Sequence, residues 1–317
     1  MVFLNKVEGP RIVVSKCLGF EVCRYNGQEL KDEFVDKLRG YVEFVPVCPE
    51  VGIGLGVPRE ALVVVEENGK KFLYQPESGK DFSEEVILFS KDFLDSVGKV
   101  DGFILKNRSP CCGVNNAKIY PGFDKATRHH NGSGIFVDEI LKKFPASAVE
   151  DDGRLKNFSI RENFLIRIFA MNEFRKIRDL ESLKKFHERN EFLFLAYSKD
   201  VFDRLGKIVE DGSDWFVNYE KGLEELFFSS PNYKDWVEVV QKAFDRFSGK
   251  LSNKEREFFL ETVQEYENEK VPLSVLVKLI SAEAVRFDDK FLLGQTFLQP
   301  FPLDLMEISD SGKGREY

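Results

Sequence analysis

An α/β domain with a mostly parallel sheet, joined to an all-α domain, is what this sequence predicts. Two observations carry it: short β-branched runs alternate with helical patterns in the first half, and helical period is nearly continuous in the second. Residues 11–14 (RIVV) predict a buried strand, and 29–38 an amphipathic helix with Leu30, Phe34, Val35 and Leu38 on its inner face. Residues 42–47 (VEFVPV) predict a second strand, with Pro46 marking its end. Asn68-Gly69, between 61–66 and 71–75, signals a hairpin because both turn positions need a positive φ. Residues 83–97 predict a helix with Ser83 as N-cap, and 101–106 (DGFILK) a third buried strand. Phe144-Pro145 ends a helix, and the polar, acidic stretch 149–157 reads as a linker between domains 1–148 and 158–317. Beyond it, 161–178, 180–209, 219–228, 233–247, 255–266 and 273–287 have helical period. Ser252 with Glu255 makes a capping box, Pro272 suits a first helical turn, and the tail 291–305 predicts extended chain.

The 317 residues suggest about two domains, and 43% hydrophobic with 32% charged residues excludes global disorder. The longest apolar runs, 42–47 and 61–65, fall far short of the roughly 20 residues that span a bilayer. Residues 1–10 lack the features of a signal peptide, so a soluble cytoplasmic protein is expected, with no membrane and no obligate protein partner. A net charge of −8 argues against general electrostatic binding to nucleic acid, though not against one local basic surface.

All five cysteines lie in the first 112 residues, and an odd count in a cytosolic chain argues against disulfides. Cys17 follows the first strand, Cys48 the second, and Cys112 lies in the loop after the third. Parallel strands end on one edge, where open α/β folds place their ligands, so these thiols are expected to converge. Structural zinc would want four ligands, often with CxxC spacing, which is absent, and His129, His130 and His187 form no complementary motif. Three thiolates can instead hold an iron–sulfur cubane with one iron open as a Lewis acid. The other reading is that the cysteines are ordinary small core residues.

Ser15-Lys16-Cys17-Leu18-Gly19 with Cys23-Arg24-Tyr25-Asn26-Gly27, then Cys48-Pro49-Glu50 with Gly54 and Pro58-Arg59, then Leu105-Lys106 and Ser109-Pro110-Cys111-Cys112-Gly113 resemble the signature of the thiouracil desulfidase family. The helical half is similar to that of the longer, RudS-type members, the tRNA 4-thiouridine desulfidases. The matching residues are the junction from Val149 to Leu155, Arg161-Glu162-Asn163-Phe164, Phe186-His187 and Gln295-Thr296-Phe297. The 186–197 segment (FHERNEFLFLAY) departs from the basic-rich pattern of those relatives. The resemblance implies a [4Fe–4S] cluster held by Cys17, Cys48 and Cys112, with one iron open to the thiocarbonyl sulfur of a thiopyrimidine. Water would attack the adjacent carbon and sulfur would leave as hydrosulfide, a non-redox C–S bond hydrolysis.

Glu50 is then placed as general base, or else is an exposed acid at a helix start. Ser109 hydrogen-bonds the base or the leaving sulfur, or else forms a turn before Pro110. Arg59 holds a phosphate or orders the loop near Glu50, and Arg24 supports the cluster loop or caps a turn. Cys23 and Cys111 read as packed thiols, and the glycines of 52–56 as a close backbone turn. Residues 154–189 hold ten Lys/Arg against five acids, which suits a phosphate-tracking surface or a solvated helical pair. Arg161, Arg167, Lys184 and Lys185 are the RNA-binding candidates there. The expected substrate is thereby 4-thiouridine in tRNA. A free thiouracil or thiopyrimidine nucleotide is the alternative, and a non-catalytic iron–sulfur sensor or scaffold is a third reading.

Overall fold

The structure, a computed structural model, describes residues 9–123 and 129–306. Most of the sequence span read for a leader, residues 1–8, therefore lies outside the described residues. Two compact units divide the chain: one runs to Asn172 and takes up the segment from Asp304, the other is Glu173–Leu303.

In the first unit the elements run β1 (Arg11–Ser15), α1 (Glu33–Leu38), β2 (Glu43–Val47), α2 (Pro49–Gly52), β3 (Val63–Glu67), β4 (Lys70–Gln75) and β5 (Lys80–Asp81). They continue with α3 (Ser83–Ser96), β6 (Gly102–Leu105), β7 (Ala117–Pro121), β8 (His130–Gly132), α4 (Ile135–Lys143), β9 (Ala148–Asp151) and α5 (Phe158–Arg175), whose last turn enters the second unit. Strands β2-β1-β6-β9 form an all-parallel sheet, while β5-β4-β3-β7-β8 form a second sheet, antiparallel except between β3 and β7. The β3–β4 hairpin turns on Asn68 and Gly69, with φ of 52° and 73°, as the dipeptide predicts. Burial on both faces explains why β1 and β6 read as unbroken apolar runs: Ile12, Val13, Val14, Phe103, Ile104 and Leu105 are all fully buried.

Three local expectations need correction. Pro46 lies within β2 opposite Val14 and does not end it, because β2 is an edge strand where a missing N–H is tolerated. Ser83 is the first helical residue of α3 and not its cap; its Oγ accepts from the Leu73 amide at 2.8 Å and donates to Asp81, so the hydroxyl stitches the helix to β4. The 149–157 stretch carries most of β9 and a 3₁₀ turn, Arg154–Lys156. Its acids read as a solvated connector, yet Asp151 is fully buried and accepts from the Gly153 and Arg154 amides and from Asn116 Nδ2, all at 2.8–2.9 Å.

The second unit is helical: α6 (Leu180–Arg189), α7 (Glu191–Tyr197), α8 (Lys199–Asp211), α9 (Trp215–Leu226), α10 (Tyr233–Asp245), α11 (Asn253–Glu267), α12 (Leu273–Arg286) and α13 (Lys290–Leu293). The single helix predicted over 180–209 is three, because Asn190 and Ser198 turn their side chains onto backbone groups at the breaks. The Ser252–Glu255 capping box is present. The tail is α13 and two 3₁₀ turns, not extended chain; Gln295 anchors it by accepting from the Phe192 amide at 3.1 Å and donating to the Glu188 carbonyl at 2.8 Å. Among the described residues no helix is long and apolar enough to cross a membrane.

An aromatic core centres on Tyr219, which stacks on Phe174 at 5.3 Å and shares a 2.9 Å hydrogen bond with His187 Nδ1. The His187 ring stacks on Phe202 at 4.6 Å, and burial pushes its pKa down to about 4. The unfolded chain, with histidine near 6.5, takes up this proton first, so the contribution is complete above 6.5 and is lost as pH falls toward 4. Urea unfolding should lose up to about 3 kcal/mol of stability across that window, and His187→Gln should flatten the slope.

Candidate active site: a thiol-lined cavity at the sheet edge

The parallel register brings β1, β2, β6 and β9 to one edge, with Ser15 opposite Val47 and Leu105 opposite Asp151. A cavity of about 680 Å³ opens there, and the segments leaving three of these strands line it. Cys17, Cys48 and Cys112 are brought together in its wall, with Cys23 as a fourth thiol. Cys48 caps the short helix α2, so the next residues, Pro49 and Glu50, form its first turn. Gly52 lets that helix lie against α3, since a Cβ there would sit 2.3 Å from the Phe89 ring.

The loop bearing Cys112 is fixed from several sides. Ser109 Oγ accepts from the Cys111 and Cys112 amides at 3.2 and 3.1 Å, which is the turn-forming role expected of a Ser before Pro. A Cβ on Gly113 would lie 2.9 Å from both Ser109 O and Ala117 N, so only glycine closes this turn. Asp152 accepts from the Asn107 amide at 2.7 Å and from Lys106 Nζ at 2.5 Å. Asn116, held by Asp151, accepts in turn from the Arg108 amide at 2.7 Å. The last residue of β9 and the acid that follows it thus brace the loop after β6. Cys111 points away from the cavity into the apolar core, as a packed thiol.

The neighbouring Cys17 thiol, and then burial, push Cys23 up to about 11 against the opposing effect of Cys48. The Cys23 thiol, and then burial, raise Cys48. Burial pushes Cys112 up to about 12 against the opposing hydrogen bonds of Ser15 and Ser109. Ser15 is itself buried and its Oγ accepts from the Lys106 amide at 2.9 Å.

Glu50 is not an exposed acid. It is 9% exposed and paired with Arg59, whose Nε donates to Oε2 at 2.9 Å and whose Nη2 meets the same oxygen. Arg59 also donates to the Cys23 and Gly56 carbonyls at 3.0 and 3.2 Å, so it orders the loops around Glu50. Among the described residues Glu50 Oε1 has no hydrogen-bond partner, while Oε2 is taken by Arg59.

Six basic residues line the cavity: Lys16, Arg24, Arg59, Lys106, Arg108 and Lys118. Lys16 pairs with Glu21, Arg59 with Glu50 and Lys106 with Asp152, while Arg24 meets the neutral Gln28 at 3.4 Å and the Tyr25 ring at 5.8 Å. Arg108 and Lys118 are exposed and make no ion pair among the described residues. Arg108 has φ of 57°, a left-handed backbone that costs a non-glycine residue of order 1–3 kcal/mol. Tyr25 and Tyr120 add aromatic surface to the wall.

The basic candidates farther along the chain behave differently. Arg161 is 4% exposed and donates to the Leu155 carbonyl at 2.8 Å, so it is a core residue and not a surface for RNA. Arg167 Nη2 binds the Ala146 carbonyl at 2.9 Å. Lys184 and Lys185 lie exposed on α6, where Lys185 pairs with Glu181 at 2.7 Å. Arg154, Arg175 and Arg189 pair with Glu150, Glu220 and Glu173, so much of the positive window is compensated locally.

Residues 12–152 match the 2-thiouracil desulfurase family, and 191–302 match a family described as a protein of unknown function, DUF1722. The uncharacterized protein YbbK of Bacillus subtilis is 32% identical over 136 residues, covering 39% of this chain and 85% of YbbK. The chain belongs to the 2-thiouracil desulfurase family. The desulfurase match spans β1 through Asp152, and therefore the whole cavity wall. The uncharacterized protein YbgA of Escherichia coli is 24% identical over 151 residues, 44% of this chain and 89% of YbgA. A solved structure titled [4Fe-4S]-dependent thiouracil desulfidase TudS is 25% identical, covers 46% of this chain and 93% of its own, and has a TM-score of 0.36.

The donor set suits an iron–sulfur group: four thiols and a single carboxylate, without histidine, line the cavity. Among the described residues no three His, Cys, Asp or Glu side chains form a ready cage for a metal ion, so the fit rests on donor type and common location. Breaking the Glu50–Arg59 pair from one side leaves a buried charge uncompensated. Arg59→Met should lower stability by about 3–5 kcal/mol in chemical denaturation, and adding Glu50→Gln should recover part of the loss.

Proposed function

We propose that this chain is a [4Fe–4S]-dependent desulfidase that converts 4-thiouridine in tRNA to uridine, replacing the thiocarbonyl sulfur by oxygen from water and releasing sulfide. The observation that carries the reading is the convergence of Cys17, Cys48 and Cys112 with Glu50 in one cavity of the segment that matches the desulfurase family. Those three cysteines would hold the cluster and leave one iron open. When bound, the cluster supplies a soft Lewis acid for the thiocarbonyl sulfur.

The chain's own residues would do the rest. Glu50 Oε1 accepts a proton from the attacking water, and Arg59 keeps Oε2 occupied and the carboxylate fixed. Ser109 Oγ, with two amides donating to it, would turn its own hydrogen from the Cys112 sulfur to the leaving sulfur. Thiocarbonyl and water go to carbonyl and hydrogen sulfide, with no net change of oxidation state. Arg24, Arg108 and Lys118 give the cavity an unbalanced positive charge, which favours a thiopyrimidine that carries phosphate over a free base.

A free thiopyrimidine nucleotide is the second reading, and a specific observation favours it. Residues 173–303 hold 20 Lys/Arg against 25 Asp/Glu, so the helical unit as a whole is acidic, which opposes tracking of an RNA backbone. Loss of thiocarbonyl absorbance, followed anaerobically on thiolated tRNA, 4-thiouridine monophosphate and free 2-thiouracil, separates the readings. The proposal expects fastest turnover on tRNA, with Cys48→Ala inactive and Glu50→Gln slowed about 10²–10⁴-fold. Turnover confined to the mononucleotide would select the second reading, and intact absorbance in all three would reject a desulfidase.

A further inference from the structure

The helical unit is acidic as a whole, so an RNA strand reaching the cavity is better matched by another surface, and the second sheet carries one. Its two faces differ. Val64, Leu73 and Ile119 are buried on one face, where Leu73 joins the core built with α3 and α4. The alternate residues form the other face, with Phe72 and Tyr74 from β4, Val65 from β3, and Lys118 and Tyr120 from β7. Register sets Phe72 beside Val65 and Val65 beside Tyr120, so two rings flank one valine in a row across three strands. Phe123, just past β7 and 40% exposed, meets Phe72 at 5.3 Å and Tyr74 at 5.1 Å between ring centres. The His129 ring meets Tyr120 at 5.5 Å, and Lys70 Nζ lies 5.1 Å from the centre of Phe72.

This face runs into the cavity. Lys118 and Tyr120 line both, as does Val63, which pairs with Tyr74. Positive charge gathers at the cavity end, where Arg24, Arg108 and Lys118 have no acidic partner among the described residues. The acids of the face stand away from it: Glu67 opposes Lys70 at the hairpin, and Asp81, on the outer strand β5, accepts from the Ser83 amide at 2.9 Å. Rings on an open sheet face beside basic side chains suit single-stranded nucleic acid, because every base offers a π-face and the phosphates follow the cations. We infer that the nucleotides flanking the reacting base, in a single-stranded RNA segment, stack on the face formed by Tyr120, Phe72 and Phe123. The inference rests on the proposed tRNA reading and assigns RNA contact to the unit that carries the cavity.

The test uses the full-length chain, isolated anaerobically, and two fluorescein-labelled probes of about ten nucleotides: sulfur-free oligouridine, and an abasic ribose-phosphate strand of the same length and charge. Anisotropy should show the oligouridine bound more tightly than the abasic strand. Phe123→Ala should weaken oligouridine binding about 5- to 150-fold and leave the abasic strand unaffected. Phe123→Leu, which keeps an apolar side chain over Phe72 and Tyr74 but has no π-face, should weaken it in the same direction, while Phe123→Trp should bind as wild type. Lys118→Ala should instead weaken both probes and reduce the salt slope by about 0.7. Phe123 lies outside the cavity wall, so Phe123→Leu should turn over 4-thiouridine monophosphate as wild type does. The inference is overturned if wild type does not bind the oligouridine, if the abasic strand binds equally well, or if Phe123→Leu and Phe123→Ala bind as wild type. Turnover confined to the mononucleotide, with oligouridine binding still dependent on Phe123, would reject the tRNA reading and leave the stacking surface standing. Turnover of thiolated tRNA with an unchanged KM in Phe123→Ala would reject the surface and leave that reading standing.

Discussion

The common ending of four parallel strands governs this molecule. Because β2, β1, β6 and β9 pair in register, the chain leaves Ser15, Val47 and Leu105 at one edge and Asp151 closes the row. Residues far apart in sequence meet there without any of them being near in the chain. Asp151 and Asp152 convert that edge into a shaped site by bracing the Asn107–Arg108 segment and its partner Asn116. Burying these carboxylates would be costly if they were unpaired, and each is satisfied by backbone amides or side-chain donors.

The electrostatics of the cavity follow from that shape. Thiols that share hydrogen bonds and burial are pushed toward their protonated forms, while the Glu50–Arg59 pair keeps one carboxylate fixed among them. A soft, positively charged group would complement this set better than a hard cation, which wants oxygen ligands. On the same cavity wall Arg24, Arg108 and Lys118 lack acidic partners among the described residues.

Much of this was legible in the sequence, for identifiable reasons. Apolar runs reported β1 and β6 because those strands are buried on both faces, and Asn68-Gly69 reported its hairpin because the backbone there needs positive φ. The position of each cysteine just beyond a strand placed Cys17, Cys48 and Cys112 together. What sequence could not show was burial of polar groups. The acids of 149–157 read as solvent-facing because nothing local reveals that Asp151 is satisfied by Asn116, which lies 35 residues away. Arg161 read as a phosphate contact for the same reason, since its partner is a backbone carbonyl in the turn before its own helix. Cys23 was visible as a thiol, but its place in one cavity wall with Cys17 and Cys48 appears only in the folded chain.

The central claim is that three thiols from separate loops act as one ligand set. Iron and acid-labile sulfide per chain, measured after strictly anaerobic isolation of wild type and of the single alanine variants of Cys17, Cys48 and Cys112, test it most directly. The account predicts about four of each in wild type, with a broad visible absorption band, and loss of both in every variant. Full iron and sulfide in any one of the three variants, or none in wild type, would contradict it.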